Sequence, residues 1–229
     1  MLGGMERHAE LGSTNDRARE LARAGAEHGY LVWADRQTAG RGRKGAEWWC
    51  APGRGLAFSV VVRPRWERAR WGWLSLAAGL GVAEALEGFG FRPAIKWPND
   101  LLLGGRKVCG ILVESDGGTA VAGIGLNVNE ERFPEGIEGT SLFLAGGKLL
   151  VREEVLEGVW KGLMMVTDRE IPAISEAVWD RLAWREAVVE TSEGVRGRIR
   201  GFGANGELSI ESGTRLVEVS DAGGVTRVG

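Results

Sequence analysis

A short segment rich in arginine and glycine carries the strongest chemical signal in the sequence. Residues 35–48 interleave four basic side chains with three glycines and have no carboxylate between positions 36 and 46 (Arg36, Arg41, Arg43 and Lys44; Gly40, Gly42 and Gly45). Glycine lets the backbone approach a ligand closely, and clustered arginine offers planar donor pairs that suit phosphate or carboxylate. We therefore expect a flexible cationic loop that closes over an anion.

The same glycines fit the dinucleotide fingerprint G-x-G-x-x-G, and so do Gly201, Gly203 and Gly206. A functional fingerprint needs a following helix whose N-terminus meets the pyrophosphate. Pro52 and Gly53 follow the first match and disfavour a helix. We therefore reject a dinucleotide site at both places.

Other polar residues each have an ordinary structural interpretation. Ser13-Thr14-Asn15 precedes a helical pattern, where such residues cap the helix or present donors to a ligand. Asn99-Asp100 after Pro98 fits a polar turn, and Lys107 opens an apolar strand. Lys96 fits a strand residue that extends its ammonium to solvent.

Apolar segments separated by turns predict one sheet that would position these groups. The predicted strands are residues 30–34, 55–63, 94–97, 101–103, 106–114 and 119–129. Gly104-Gly105 and Gly117-Gly118 are two-residue hairpin signals, so the sheet should be antiparallel or mixed.

Helical patterns cover residues 71–86 and 149–184, and the second is interrupted near Ile171-Pro172. The first is rich in small residues, which suits close packing against a sheet. From Arg185 onward, short alternating segments indicate a small all-β unit. We expect two domains, residues 1–184 and residues 185–229.

Composition narrows the classes of function. A net charge of −2 gives no global basic field of the kind that marks nucleic-acid binders. No apolar run is long enough to cross a bilayer, and the first residues are too polar for a signal peptide. Cys50 and Cys109 lack metal-type spacing and are expected to be reduced, in a cytoplasmic protein.

Taken together and in order, the polar motifs resemble the biotin protein ligase family. The matching segments are Ser13-Thr14-Asn15, Gln37 to Gly45 with Trp48, Lys96-Trp97-Pro98-Asn99-Asp100, Lys107 to Glu114, and Gly123 to Asn129. The resemblance implies an α+β fold, a mixed or antiparallel sheet with helices packed on it, like the catalytic domains of class II aminoacyl-tRNA synthetases. It also implies a small C-terminal β-barrel like Src-homology-3 domains.

The resemblance implies a biotin–[acetyl-CoA-carboxylase] ligase activity. Biotin and ATP would give biotinyl-5′-AMP and pyrophosphate, and the adenylate would then acylate one lysine of a biotin carboxyl carrier protein. Basic groups between the biotin carboxylate and the α-phosphate would offset their repulsion. Lys107 and Arg43 are the expected catalytic residues.

The resemblance also assigns ligand contacts. Expected biotin contacts are Ser13, Thr14, Asn15, Gln37, Gly40, Arg41, Gly42, Arg43, Lys107 and Gly110. Expected ATP or adenylate contacts are Arg41, Arg43, Trp48, Asn99, Asp100, Lys107 and Asn127. Mg²⁺ is expected with ATP, and Asp100 would hold the metal or help to deprotonate the acceptor lysine.

Two departures from the family pattern affect the adenylate contacts. Ala46 stands where another basic residue is common, and Trp49-Cys50-Ala51 replaces a commoner aromatic-Ser-Pro form. Ser13 lies so near the start that we expect no DNA-binding domain before it, and hence no repressor function. The family includes monomers and dimers, so a homodimer is one expected state.

Two other functions remain open from the sequence. A lipoate or octanoate ligase or transferase shares the fold, although the R-G-R loop and the K-W-P-N-D turn favour biotin. A non-catalytic biotin or nucleotide sensor is the other, although the retained Arg43 and Lys107 argue against lost chemistry.

Overall fold

The computed structural model describes residues 4–220 and 225–228, and within these ranges the larger sheet has seven strands. The strands are β1 Met5–His8, β2 Leu31–Ala34, β3 Leu56–Val62, β4 Ala94–Lys96, β5 Asp100–Leu103, β6 Arg106–Asp116 and β7 Thr119–Leu126. Their spatial order is β1-β2-β3-β7-β6-β5-β4. β1 and β2 run parallel, and the other neighbouring pairs run antiparallel. The prediction of a mixed sheet is confirmed.

Five α-helices occur in the described residues: α1 Thr14–Arg23, α2 Leu74–Gly88, α3 Leu142–Gly146, α4 Arg152–Thr167 and α5 Ile171–Asp180. They cover both faces of the sheet. Since alternate residues of a strand face opposite sides, Val61 packs with Ala18 of α1, whereas Phe58 and Val60 belong to the larger core with α2 and α4. This two-sided burial explains why every residue of β3 is buried.

The small residues of α2 mainly allow α2 and α4 to pack closely. A Cβ at Gly81 would lie 2.9 Å from the backbone of Gly162, so the two helix backbones touch. Gly79 faces Ile95, Leu101 and Ile111 of the sheet at ordinary distances, the nearest being 3.7 Å. The expectation of close packing against the sheet is thus right for Gly79, whereas the closest approach is between helices.

The C-terminal part forms a second, antiparallel sheet of five described strands in the order β11-β10-β9-β8-β12. These strands are β8 Val188–Thr191, β9 Arg196–Phe202, β10 Leu208–Ser212, β11 Arg215–Val219 and β12 Val225–Arg227. Before it, Ile95 of β4 donates its backbone N–H to Arg181 O at 2.8 Å and accepts a 2.8 Å bond from the backbone N–H of Ala183, so residues 181–183 extend the first sheet along its β4 edge.

The expected α+β class is confirmed, and some elements had no predicted counterpart. β1, α3 and β12 were not predicted, and α2 is preceded by a 3₁₀ helix, Arg68–Trp73. The helical stretch 149–184 divides into α4 and α5, with Pro172 in the first turn of α5. Residues 1–3 of the first predicted domain, and residues 221–224 and 229 of the second, lie outside the described residues. Across the described chain, no helix is both long and apolar enough to span a bilayer.

Candidate active site

One cavity of about 550 Å³ collects most of the residues that the sequence singled out. Twelve of them line it: Ser13, Thr14, Asn15, Gln37, Arg41, Gly42, Arg43, Trp48, Asn99, Asp100, Lys107 and Gly110. Arg41, Arg43 and Lys107 therefore face one cavity, as expected. Gly40 and Asn127 are absent from its lining.

We call the buried polar group at the start of α1, together with β3 and β7 beneath it, the floor of the cavity. Thr14 donates its backbone N–H to Gln37 Oε1 at 2.8 Å, and Thr14 Oγ1 lies 3.0 Å from the same oxygen. Ser13 occupies the N-cap position without a side-chain capping bond. Capping by Ser13 therefore does not account for the S-T-N motif.

Ser59 of β3 is the part of the floor that the sequence analysis missed. Its hydroxyl is fully buried and lies 2.7 Å from Thr14 Oγ1 and 2.6 Å from Asn15 Oδ1. The Asn15 amide nitrogen donates to Glu114 Oε2 at 2.7 Å and to Leu112 O at 3.3 Å. The amide of Asn15 is thus fixed at both ends.

Glycines give the floor its depth. A Cβ at Gly123 would overlap the Asn15 amide, and one at Gly125 would overlap the Trp48 ring. At Gly110 a Cβ would lie 2.9 Å from Trp48 Cζ3. The Trp48 indole therefore lies directly on the strands, and its Nε1 is buried without a hydrogen-bond partner among the described residues.

The loop over the cavity, residues 41–47, is called the rim. Gly42 N donates to Ala46 O at 2.6 Å, and Trp48 N donates to Gly40 O at 3.0 Å, which closes the rim into a tight loop. Its only regular segment in the described structure is a 3₁₀ turn, Arg43–Gly45, where Lys44 has φ 55°. No α-helix follows either glycine motif directly, which agrees with rejection of a dinucleotide site.

The basic groups of the cavity have polar partners. Arg41 makes two bonds to Asp16, of 2.8 and 2.7 Å, and Asp16 also contacts Arg19. The Arg41 hydrogen bonds, helped by Arg19, lower the pKa of Asp16 from 3.8 to about 2. Asp16 had no predicted role, and its partner Arg41 was expected to contact ligand.

The side chains of Arg43, in the rim, and Lys107, in β6, reach the polar residues between β4 and β5 and at the start of β5. Arg43 Nη1 donates to Asn99 Oδ1 at 3.1 Å, and Asn99 Nδ2 donates to Ile111 O at 2.8 Å. Lys107 Nζ is 2.7 Å from Asp100 Oδ1 and 5.5 Å from the centre of the Trp48 ring. The contact between Lys107 and Asp100 is an ion pair.

Two predicted site residues, Asn127 and Gly40, lie outside the cavity lining. Asn127 Nδ2 donates to Thr140 O at 3.0 Å, and Leu142 N donates to Asn127 O at 3.1 Å, so this residue anchors the chain that follows β7. The expected phosphate contact of Asn127 stays a prediction. Gly40 is buried beside Gln37, where a Cβ would lie 2.8 Å from Trp48 O. It therefore shapes the rim without lining the cavity.

The unusual Trp49-Cys50-Ala51 segment packs against the chain after β7. Trp49 meets Phe133 edge to face at 5.9 Å, and Cys50 Sγ donates to the buried Glu130 Oε1 at 3.5 Å. Burial beside this carboxyl raises the pKa of Cys50 to about 12. Cys50 and Cys109 are both free thiols, and burial also raises the pKa of Cys109, so both are unreactive structural residues.

Two carboxylates, Glu47 and Asp100, line this cavity and could contact a metal ion. The described residues hold no cluster of three or more His, Cys, Asp or Glu side chains able to bind a metal. Mg²⁺ commonly uses one or two carboxylates together with substrate phosphates and water. Asp100 fits such a site as one carboxylate ligand, and its Oδ1 is paired with Lys107 Nζ at 2.7 Å in this structure.

Other residues at or beside the cavity were left out of the site prediction. Lys96, Trp97, Gly123 and Gly125 line the cavity although the site prediction omitted them. Ser59 could have been found, because it is the one polar residue in the apolar run of β3. Asp16 offered no signal beyond its place in the first turn of a helix.

Comparisons with known proteins agree with this geometry. Residues 10–129 match the model of the biotin/lipoate A/B protein ligase family. The biotin–[acetyl-CoA-carboxylase] ligase of Mycobacterium tuberculosis is 33% identical over 228 residues, which cover 93% of this chain and 85% of that protein. The bifunctional ligase/repressor BirA of Bacillus subtilis is 38% identical over 162 residues, which cover 66% of this chain and 50% of that protein. The chain thus spans about half the length of such relatives.

A solved structure extends the match to nearly the whole chain. The biotin protein ligase from Aquifex aeolicus in complex with biotin and ATP superposes with a TM-score of 0.88 at 30% identity. The alignment covers 98% of this chain and 99% of that one.

Proposed function

Because the chain belongs to the biotin/lipoate A/B protein ligase family, we propose that it is an ATP-dependent biotin protein ligase. In the first step a biotin carboxylate oxygen attacks the α-phosphorus of ATP, the bond to the β-phosphate breaks, and pyrophosphate leaves. In the second step a carrier lysine attacks the acyl carbon, an amide forms, and AMP leaves with the bonding pair of the anhydride.

The observation that carries this proposal is the convergence of Arg41, Arg43 and Lys107 on one cavity whose other end is polar and uncharged. A carboxylate and a polyphosphate repel each other, and fixed cations between them stabilise the charge that develops during transfer. Lys107 lies on a strand and so is held more firmly than the arginines of the rim.

The floor suits the neutral ring system of biotin. A cyclic urea has two N–H donors and one carbonyl, which match the hydroxyl and amide groups of Ser13, Thr14, Asn15 and Gln37. A site built to pair such groups discriminates strongly against ligands that lack them. The cavity volume of about 550 Å³ lies within the usual range of ligand sites, about 300–1,000 Å³.

ATP would bring Mg²⁺, which neutralises phosphate charge when bound. Asp100 is the carboxylate that would hold the ion. In the second step the acceptor lysine must lose its proton, because an unperturbed lysine has a pKa of ~10.4. Asp100 is also a candidate to receive that proton.

The acceptor in this proposal is a biotin carboxyl carrier protein, as the name of the Mycobacterium tuberculosis relative suggests. Residues 1–184 would form the catalytic domain, and residues 185–229 would complete the ATP site and meet the carrier. A cytoplasmic location is part of the proposal and is supported by the two free thiols and by the use of ATP.

Mass spectrometry of a carrier domain incubated with biotin, ATP and the protein tests this function. We expect the mass of one biotinyl group to be added by the wild type, and little or no addition by Lys107→Ala. Lys161→Ala, which removes an exposed lysine of α4, is the matched control and should behave as wild type.

Lipoate in place of biotin separates the two branches of the family. Saturating biotin should raise the unfolding temperature, because a ligand at 100 times its Kd stabilises by ~2.7 kcal/mol. Stabilisation and transfer with lipoate and not with biotin would overturn the assignment. Stabilisation by biotin without transfer would indicate a sensor.

A further inference from the structure

The turn between β4 and β5 connects the cavity to the C-terminal sheet. Trp97 is 4% exposed, lines the cavity, and donates its indole N–H to Gly206 O at 2.9 Å. Gly206 belongs to the turn between β9 and β10, here called the docking turn (residues 203–206). This turn is part of the second glycine motif, so that motif makes a contact between the two sheets.

The docking turn is fixed on the catalytic part of the chain by several contacts. Ala204 O accepts bonds from Arg70 Nη1 at 2.7 Å and from Trp73 Nε1 at 3.0 Å. A Cβ at Gly72 would overlap Asn205 O, so the two backbones meet directly. The acceptor of the Trp97 bond therefore has a defined position.

The other side of the Trp97 turn holds groups of the cavity. Asn99 accepts the 3.1 Å bond from Arg43, and Asp100 lies 2.7 Å from Lys107 Nζ. Pro98 O accepts a 3.0 Å bond from Ser75 of α2, which supports the turn from a second direction. A shift of the Trp97 ring would therefore move the partners of both Arg43 and Lys107.

We propose that Trp97 is a positioning residue, through which the docking turn of the C-terminal sheet fixes Asn99 and Asp100 for adenylate formation. The proposal rests on the proposed ligase function. Catalysis by positioned charges is sensitive to displacement, since about 1 Å can cost ~10²-fold in rate. The C-terminal sheet thus acts on the reaction at a distance, whether or not it also touches a substrate.

Trp97→Phe tests this role, with Trp73→Phe as the matched control. Each variant keeps an aromatic ring and removes one indole donor to the docking turn, but Trp73 does not line the cavity and Arg70 still holds Ala204 O. The readouts are biotin-dependent exchange of pyrophosphate into ATP and the Kd of biotin without ATP. We expect Trp97→Phe to lower kcat of exchange about tenfold with biotin Kd within twofold, and Trp73→Phe to change neither beyond twofold.

A double variant weakens the hold on the docking turn through two residues that do not line the cavity. Arg70→Ala with Trp73→Phe removes both donors to Ala204 O and should lower kcat severalfold while Trp97 is intact. If Trp97→Phe fails to fold, the double variant still tests whether the docking turn positions the cavity residues. Wild-type kcat in Trp97→Phe or in the double variant, or an equal loss in Trp73→Phe, would overturn the positioning role alone. Absence of exchange in the wild type would overturn the ligase function and this proposal with it.

Discussion

The floor of the cavity consists of strand residues and the start of α1, whereas the rim is a loop of exposed cations. Floor groups are buried and bonded at short range, as in the contacts of Ser59 with Asn15 and Thr14. The rim is more exposed: the side chain of Arg41 is 38% accessible, and that of its partner Asp16 in α1 is 41% accessible. Buried polar groups cost much to leave unpaired, whereas exposed ion pairs are weak.

This difference suggests a division of labour between the two regions. The floor is already organised and suits recognition of a ligand by hydrogen bonds. The rim has charges whose present partners can be exchanged for a ligand at small cost. Changes in the floor should therefore alter affinity strongly, and changes in the rim should alter it weakly.

Ser59→Ala should give the largest effect on biotin affinity of the changes considered for this comparison. The variant removes the donor to Asn15 Oδ1, so the Asn15 amide, which lines the cavity, loses one of the bonds that fix it. We expect the Kd of biotin, measured by calorimetry, to rise about tenfold, or ~1.4 kcal/mol. Ser209→Ala removes a buried strand serine outside the cavity and is the matched control. Equal affinities in Ser59→Ala and wild type would contradict the role of the floor.

Local composition revealed the cations of the rim, whereas the sequence analysis missed part of the floor, and there is a physical reason. Arg41, Arg43 and their glycines are adjacent in the chain, so local composition reveals them. The contact of Ser59 with Asn15 depends on how β3 and α1 pack, which no local pattern encodes. The side-chain amide of Asn127 donates to Thr140 O because neighbouring residues at a strand end point in alternate directions, and no sequence pattern indicated that contact.

The fold shows the same division between local and tertiary information. β3 and β7 were predicted because they are long apolar runs that end at turn residues. β1 has the sequence MERH, which lacks an apolar pattern, and it is a strand because it pairs with β2. The docking turn matches the sequence pattern of a dinucleotide-binding motif. In the structure it instead connects the antiparallel strands β9 and β10.

Asp16→Asn tests the rim and should have a smaller effect. The variant removes the carboxylate that holds Arg41 in this structure, so Arg41 becomes free for the ligand. Because exposed pairs are worth ~0.2–1 kcal/mol, the affinity for biotin should rise by at most about fivefold. The gain should shrink at high salt. Asp116→Asn breaks a comparable pair with Arg23 away from the cavity and should leave affinity unchanged. A loss of affinity in Asp16→Asn would show that Asp16 supports binding.

The smallest expected effect is on acid stability, and it tests whether the rim pair forms without ligand. Hydrogen bonds from Arg41 lower the pKa of Asp16 from 3.8 to about 2. A carboxyl whose pKa is lowered by folding stabilises the protein above its unfolded pKa, and this contribution is lost as pH falls through the folded pKa. The free energy of unfolding of wild type relative to Asp16→Asn should thus be constant above pH ~4 and decline toward pH ~2. Urea unfolding at a series of pH values measures this difference, with Arg41→Gln and the double variant to isolate the pair. The stability difference could be independent of pH from 4 to 2, or unchanged in the Arg41→Gln background. Either result would mean that Asp16 does not hold Arg41 in solution, so a ligand would not have to displace Asp16 from Arg41.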